Sequence, residues 1–294
     1  MFEFLLHVII MTGIYGLIAL ALNIQAGWTG LLNFGHIAFV GIGAYAIGMG
    51  MMWDIPLLFS VLAGLVIAAT LALAIGMLGR KLAADYWGIA TLAVAEIIRM
   101  IAFNEDDLTG GAQGISHIVI RGFNDTAGSS YIFFVITAVL LCITALLCRQ
   151  VYISKFGRAL RLIREEPQLA MCLGYHVLSI KCQALVLSSI IGALAGMILA
   201  LYMNYVSPDY LLSSETFVIW SMVIIGGIGR VSGVLVGSLI IELLYNFIPF
   251  AKDIFNISAD TSGAIRLGLI GFILLLCLLK KSDGLIPEQV REIR

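Results

Sequence analysis

Long apolar runs separated by short polar interruptions organise this chain from end to end. They fall at residues 4–24, 33–53, 57–78, 86–103, 131–148, 182–205, 215–228, 232–250 and 265–279. A hydrocarbon core about 30 Å thick takes about 20 residues of helix to cross. The runs therefore predict about nine transmembrane helices, or eight to ten given the two shortest. No stretch alternates apolar and polar positions in the way that marks an outer-membrane barrel. The expected fold class is all-α, a polytopic membrane helical bundle, with residues 1–294 forming a single transmembrane domain. The first run is read as a retained span, because Glu3 stands where a secretory leader carries Lys or Arg and the apolar stretch outlasts a cleavable core.

Polar and backbone-loosening residues inside the runs add a second signal. Asn23 to Gly50 reads NIQAGWTGLLNFGHIAFVGIGAYAIGMG, an oil-soluble stretch crowded with glycine that also carries Asn23, Asn33 and His36. Two readings stand side by side. Lipid gives helices no hydrophobic reason to associate, so bundles pack through small residues, and Ala44/Gly48, Ala46/Gly50, Gly192/Gly196 and Gly229/Gly233/Gly237 are spaced for single helix faces. The other reading is a helix broken at membrane depth, tolerated where protein shields it or where it lines a wet cavity, as at transporter substrate sites. On that reading Asn23, Asn33, His36 and Gly41 are the candidate substrate-path positions, with the break near Asn33 to His36. Gly41 to Ala46 also has the outline of a dinucleotide fingerprint, but it sits inside an apolar run rather than between a strand and a soluble helix. Glu96 and Arg99 stand three apart, close enough to pair on a helix and spare an unpaired intramembrane charge, while the isolated Glu242 is expected to face the bundle.

Composition agrees and charge placement adds direction. The chain is 61% hydrophobic and 12% charged, with a mean hydropathy of +1.05, too little charge to furnish an aqueous surface. Its net charge of -1 carries less information than where the cations lie, and no basic arm for nucleic acid is visible. Arg80, Lys81, Arg149, Lys155, Arg158, Arg161, Arg164, Lys181, Arg230, Lys280, Lys281, Arg291 and Arg294 fall on one side of the nine-span scheme; Arg121, Lys252 and Arg266 fall on the other. The basic side is expected to be cytoplasmic, which places the N-terminus outside and the C-terminus in the cytoplasm. The five cysteines show no CxxC and no metal spacing and are read as small buried hydrophobes.

The longest basic-side connection, residues 154–181, reads as two short helices. Arg158, Arg161 and Arg164 recur around Ala159, Leu160, Leu162 and Ile163, Pro167 starts a fresh turn, and Gly174 marks an end. Periodicity alone leaves two accounts open, a basic strip against anionic lipid or a docking element for a soluble partner. The sequence holds no GxxxxGK[ST] and no Gly-Lys pair, so no P-loop holds nucleotide in this chain. His7, His117 and His176 lack partners at catalytic spacing, no metal-ligand cluster is seen, and a membrane enzyme is weakly supported.

Seven colinear segments resemble one family, the LivM-type permease subunits of bacterial ABC importers for branched-chain amino acids. They are LALNIQAGWTGLLNFGHIAFVGIGAYA (20–46), ADYWGIATLAVAEIIRMI (84–101), DLTGGAQGI (107–115), FGRALRLIREEPQLAMCLGYHV (156–177), ALAGMILALYMNYVSPD (193–209), VIIGGIGRVSGVLVGSLI (223–240) and GLIGFILLLCLLKKSDGLIP (268–287). The resemblance implies an ABC importer permease fold with a vitamin-importer-like central second helix, in the bacterial cytoplasmic (inner) membrane. It implies a second permease as heterodimer partner, two cytoplasmic ATPases that carry the ATP and Mg, and an external substrate-binding protein. By the same analogy residues 154–181 are the coupling loop, with Phe156, Gly157, Arg158, Arg161, Arg164, Glu165, Glu166, Ala170 and Gly174 as the ATPase-coupling positions. Importer permeases generally carry EAA-x-x-x-G there. This chain has Gln168-Leu169-Ala170 and then Gly174, so one Ala and the Gly match and the Glu does not. Arg230 is a second departure, standing where the family more often has a small residue. Urea and short-chain amide permeases share the pattern, and an ion-coupled secondary transporter is the reading from a different class, although paired intramembrane charges on inverted repeats are not evident.

Overall fold

The computed structural model describes residues 2–79, 82, 84–119, 129–255, 259–281 and 284–286. Arg80, Lys81, Arg121, Arg291 and Arg294, which entered the charge argument, lie outside them. In chain order the helices are α1 (Phe2–Thr29), α2 (Ile37–Met52), α3 (Leu57–Leu78), α4 (Ala84–Asn104), α5 (Asp106–Thr109), α6 (Ser129–Ile153), α7 (Lys155–Glu165), α8 (Pro167–Cys172), α9 (Val177–Met203), α10 (Ser213–Gly226), α11 (Val231–Phe255) and α12 (Ala259–Lys280). Two-residue strands β1 (Ile115–Ser116) and β2 (Tyr205–Val206) pair antiparallel, Ile115 opposite Val206, and tie two loops together at the end away from α7 and α8.

Each apolar run of the sequence falls on one of these helices. Among the described residues six are long and apolar enough to cross a bilayer, and α2, α10 and residues Val231–Phe247 of α11 are shorter apolar helices. The lengths matter. At 1.5 Å per residue α2 and α10 reach only about 24 and 21 Å, short of a hydrocarbon core of about 30 Å. The remaining depth is taken by backbone outside the α-helices at 30–36, 204–212 and 227–230, the second of these including a 3-10 turn at Pro208–Leu211. The second run accordingly starts its helix at Ile37 rather than 33, and the first extends to Thr29 rather than stopping at 24.

The core sits on α1, α2 and α9. In both α1 and α9, 72% of the most apolar window is buried, against 6% for α12, so the first two are enclosed by protein and the last faces outward. The expected central second helix is present in this form, sharing the middle with two others. α2 and α9 cross backbone to backbone: a Cβ on Gly196 would fall on the Val40 carbonyl, and one on Gly43 on the Ala193 carbonyl. Ala46 packs on Gly64 and Gly50 on Ser60, which seats α3. Ala44 is buried in the core, while Gly48 meets Val206, Ile115 and Ile118 rather than a helix. Gly233 and Gly237 fit α11 against Gly226 and Met222 of α10. The third member expected on that face, Gly229, instead lies before α11, in a turn with φ +90. Cys148 and Cys182 are buried as expected; Cys142 and Cys172 are exposed, because one lies on an outward face of α6 and the other on the projecting α8.

Candidate functional site

The last turns of α1 carry polar groups that a lipid-facing helix cannot hold, and each has a distant partner. Asn23 Oδ1 accepts the Gly229 N–H at 2.8 Å, and the Trp28 indole N–H donates to the Gly229 carbonyl at 3.0 Å. The chain leaves the helix at Gly30 (φ +68), the left-handed residue that ends many helices, and the Leu31 N–H returns to the Gln25 carbonyl at 3.2 Å. Helix C-termini leave carbonyls without internal partners and carry partial negative charge. The Arg164 guanidinium of α7 meets both demands by donating to the Gly27 carbonyl, with its aliphatic stem over Gly30.

The break at 30–36 is held by a buried network centred on Gln25. Its amide N–H donates to Ser188 Oγ at 2.5 Å, its carbonyl oxygen accepts from Asn33 Nδ2 at 2.7 Å, and His36 Nδ1 lies 3.4 Å from the amide nitrogen. Ser188 in turn donates to the Ala21 carbonyl at 2.7 Å. The free backbone groups are satisfied as well: Gly35 N–H by Asn33 Oδ1, Phe34 N–H by Thr91, and the Asn33 carbonyl by the Trp220 indole N–H at 3.0 Å. Gln25, Asn33 and His36 are each at most 1% exposed. Non-helical backbone survives at such depth because protein partners replace the water it lacks. His36 Nε2 has no hydrogen-bond partner among the described residues, and a Cβ on Gly192 would lie 3.5 Å from it.

Phe34 turns from this break toward a groove of about 470 Å3 between α10 and α12. Its ring lies 5.7 Å from Phe217 and 5.6 Å from Trp220, with Ser214 and Ser221 on the same α10 wall and Ile270 opposite. The surface offered is aromatic and aliphatic with two hydroxyls, suited to an apolar side chain. Of the substrate-path expectations, Asn33 and His36 belong to the network behind this groove. Asn23 serves the 227–230 turn instead, and Gly41 packs on Leu211, away from both. Sequence reading missed Gln25, Phe34, Ser188 and Trp220. Gln25 could have been found in the quoted stretch as one more amide in an apolar run; an aromatic or a lone serine in such a run gives no signal.

At the basic end, Ser154 caps α7 by accepting the Gly157 N–H, and α7 buries Gly157, Ala159, Leu160 and Ile163. Phe156 is partly buried beside Trp28 and Leu160, and Arg158 donates to the Ile153 carbonyl at 3.2 Å. Arg161 lies over the Tyr152 ring at 4.2 Å, and Tyr152 in turn packs on Trp28 at 5.8 Å. Glu165 and Glu166 are exposed, with Glu165 3.3 Å from Arg164. α8 is buried only at Ala170, and Gly174 (φ +84) reverses the chain beyond it in open space. Leu169, Met171, Leu173 and Tyr175 stand exposed there, an apolar knob that the basic pattern of α7 did not foretell.

Glu96, Arg99, Glu215, Glu242 and Arg266 each meet a partner within the chain. Arg99 and Glu96 pair at 2.5 Å as expected, and the buried Glu242 accepts from Asn246 at 2.8 Å. Arg266, read among the cations of the less basic side, stacks on Tyr245 at 3.7 Å, and Tyr15 donates to Glu215 at 3.2 Å. Burying a guanidinium's face on an aromatic ring costs less than leaving it in hydrocarbon.

A family profile described as the permease component of the branched-chain amino acid transport system matches residues 4–278. A probable branched-chain amino acid transport permease LivM of Methanocaldococcus jannaschii is 26% identical over 94% of this chain and 91% of its own length. The high-affinity LivM permease of Salmonella typhimurium is 28% identical over 94% of this chain and 68% of its own, and a probable LivH permease of M. jannaschii is 28% identical over 82% and 79%. No solved structure matches significantly. With the profile running over nearly the whole bundle, from α1 to α12, this multi-pass membrane protein belongs to the branched-chain amino acid transport permeases.

Proposed function

We propose that this chain is the membrane-spanning subunit of an ATP-driven importer for branched-chain amino acids, working with a second permease, two ATPases and a substrate-binding protein. Likeness to both LivM and LivH permeases supports a permease pair. The observation that carries the proposal is the α7–α8 projection: an exposed apolar knob on a basic end, fastened through Arg164 to α1, in a chain without a nucleotide-binding loop. A separate motor that grips α8 moves α7, and α7 moves the end of α1 and the break that follows. The Phe34–Phe217–Trp220 groove is the substrate route beside that break. On this reading the basic end faces the cytoplasm and the N-terminus lies outside, in a bacterial cytoplasmic membrane.

The test is uptake of labelled leucine and ATP hydrolysis by the assembled complex in proteoliposomes. Substrate-stimulated hydrolysis is expected to vanish with Arg161→Ala and Gly174→Val together while the permease stays in the membrane; unimpaired stimulation sinks the coupling role. Unlabelled isoleucine and valine are expected to compete and urea and short amides not to. Uptake by the purified chain alone in gradient-loaded vesicles would refute the ATP-driven reading.

A narrower experiment addresses the knob. Met171→Glu with Leu173→Glu leaves folding intact, since both side chains are exposed, and is expected to remove the ATPases from the purified complex. Copurification at the wild-type ratio would place the motor elsewhere.

A further inference from the structure

A groove of about 480 Å3 runs between α6 and α11 at the basic end, and its two parts differ in chemistry. Ala145 and Leu146 of α6 and Leu235 of α11 wall its deeper part; Arg149, Arg230 and Ser232 stand at its mouth. Helix positions fix that order, since Arg149 lies four residues nearer the basic end than Ala145, and Arg230 directly precedes the first residue of α11. No carboxylate lines the groove among the described residues, and Arg149 has no ion-pair partner among them. Leu146 is 56% exposed, so the apolar wall opens sideways to hydrocarbon.

We propose that this groove binds an anionic glycerophospholipid, its phosphate between Arg149 and Arg230 and an acyl chain along Leu146 and Leu235. Basic pockets between transmembrane helices at the cytoplasmic level suit such headgroups, since guanidiniums pair with phosphate oxygens through parallel N–H···O bonds and a second positive charge disfavours a headgroup that carries its own cation. A free phosphate would satisfy the mouth and leave the apolar wall unused. The site bears on the rest of the molecule through Gly229, next to Arg230, whose N–H and carbonyl hold Asn23 and Trp28 of α1. A headgroup on Arg230 therefore sits one residue from the junction that anchors α1.

Native mass spectrometry of the full chain, released from nanodiscs of mixed phosphatidylglycerol and phosphatidylcholine with identical acyl chains, tests the site. The wild-type chain is expected to retain phosphatidylglycerol preferentially. Arg149→Gln and Arg230→Gln are expected to cut that preference about fivefold each. Lys280→Gln, an exposed cation at the same end, is expected to leave it unchanged. Ala145→Phe fills the apolar wall with both cations intact and is expected to lower lipid retention without affecting binding of inorganic phosphate. Equal retention of the two lipids, or a preference that survives both arginine changes, overturns the proposal. So does a loss from Lys280→Gln as large as theirs, which would mean diffuse surface charge. Displacement of the lipid by millimolar phosphate with no effect of Ala145→Phe would assign the mouth to a free anion and overturn it equally; that variant also keeps the test open should the arginine variants not fold.

Discussion

Leucine in place of Gly196 is expected to drive α2 from α9 and leave little folded protein in the membrane. The two helices touch backbone to backbone, with Gly196 on the Val40 carbonyl and Gly43 on the Ala193 carbonyl. A side chain at either place must displace a main chain that is itself hemmed in. Behind α2 stands α3, fitted through Ala46 on Gly64, and α9 also packs against α1 through the Ser188 bond to Ala21. Overpacking a core ordinarily costs about 1–3 kcal/mol when side chains can yield; with a carbonyl as the obstacle we expect the upper end, about 3 kcal/mol or more. Gly268 on α12 is the control, because a Cβ there meets nothing within 4 Å. Thermal unfolding of the detergent-purified chain separates the cases: Gly268→Leu should melt with the wild type and Gly196→Leu well below it. Equal melting of all three would mean that the α2–α9 crossing is not the close contact described.

Much of this architecture was legible because the bilayer sets helix length, so apolar runs of the right size announce themselves. The break before α2 was legible for a related reason: amides and an imidazole in oil need partners, and Asn33 with His36 pointed to the place. The partners themselves were not. Gln25 bonds Ser188 across 163 positions and Asn23 bonds Gly229 across 206, and no local pattern encodes those encounters. The same contacts explain why α1 runs on to Thr29, since its polar residues are satisfied only once α9 and the 227–230 turn are in place. Gly229 was misread because its spacing from Gly233 and Gly237 suits a helix face, whereas its positive φ is a property of the backbone alone. The aromatic groove gave no warning, as Phe34, Phe217 and Trp220 read as ordinary lipid-compatible residues. The α8 knob was hidden by the charge pattern of its neighbour, which drew attention to the arginines.

Alanine at Arg164 is expected to break the link between the projecting helices and the break, without unfolding either. Arg164 donates to the Gly27 carbonyl in the last turn of α1, and its stem covers Gly30, where the chain leaves the helix. α7 stays docked without it, through Leu160, Ile163 and the Arg161–Tyr152–Trp28 stack. A hydrogen bond to a charged group contributes about 1.5–3 kcal/mol, so its loss shifts the balance between α1 positions by about tenfold or more. In the reconstituted complex, basal ATP hydrolysis should persist while the substrate-stimulated part and leucine uptake fall by at least about that factor. Arg164→Lys should recover a fraction, since one ammonium reaches one carbonyl but cannot spread over both the helix end and Glu165. If Arg164→Ala hydrolyses and transports normally, the force from the motor does not pass through the end of α1, and the route runs instead through α6 or α9, the two helices that the loop joins.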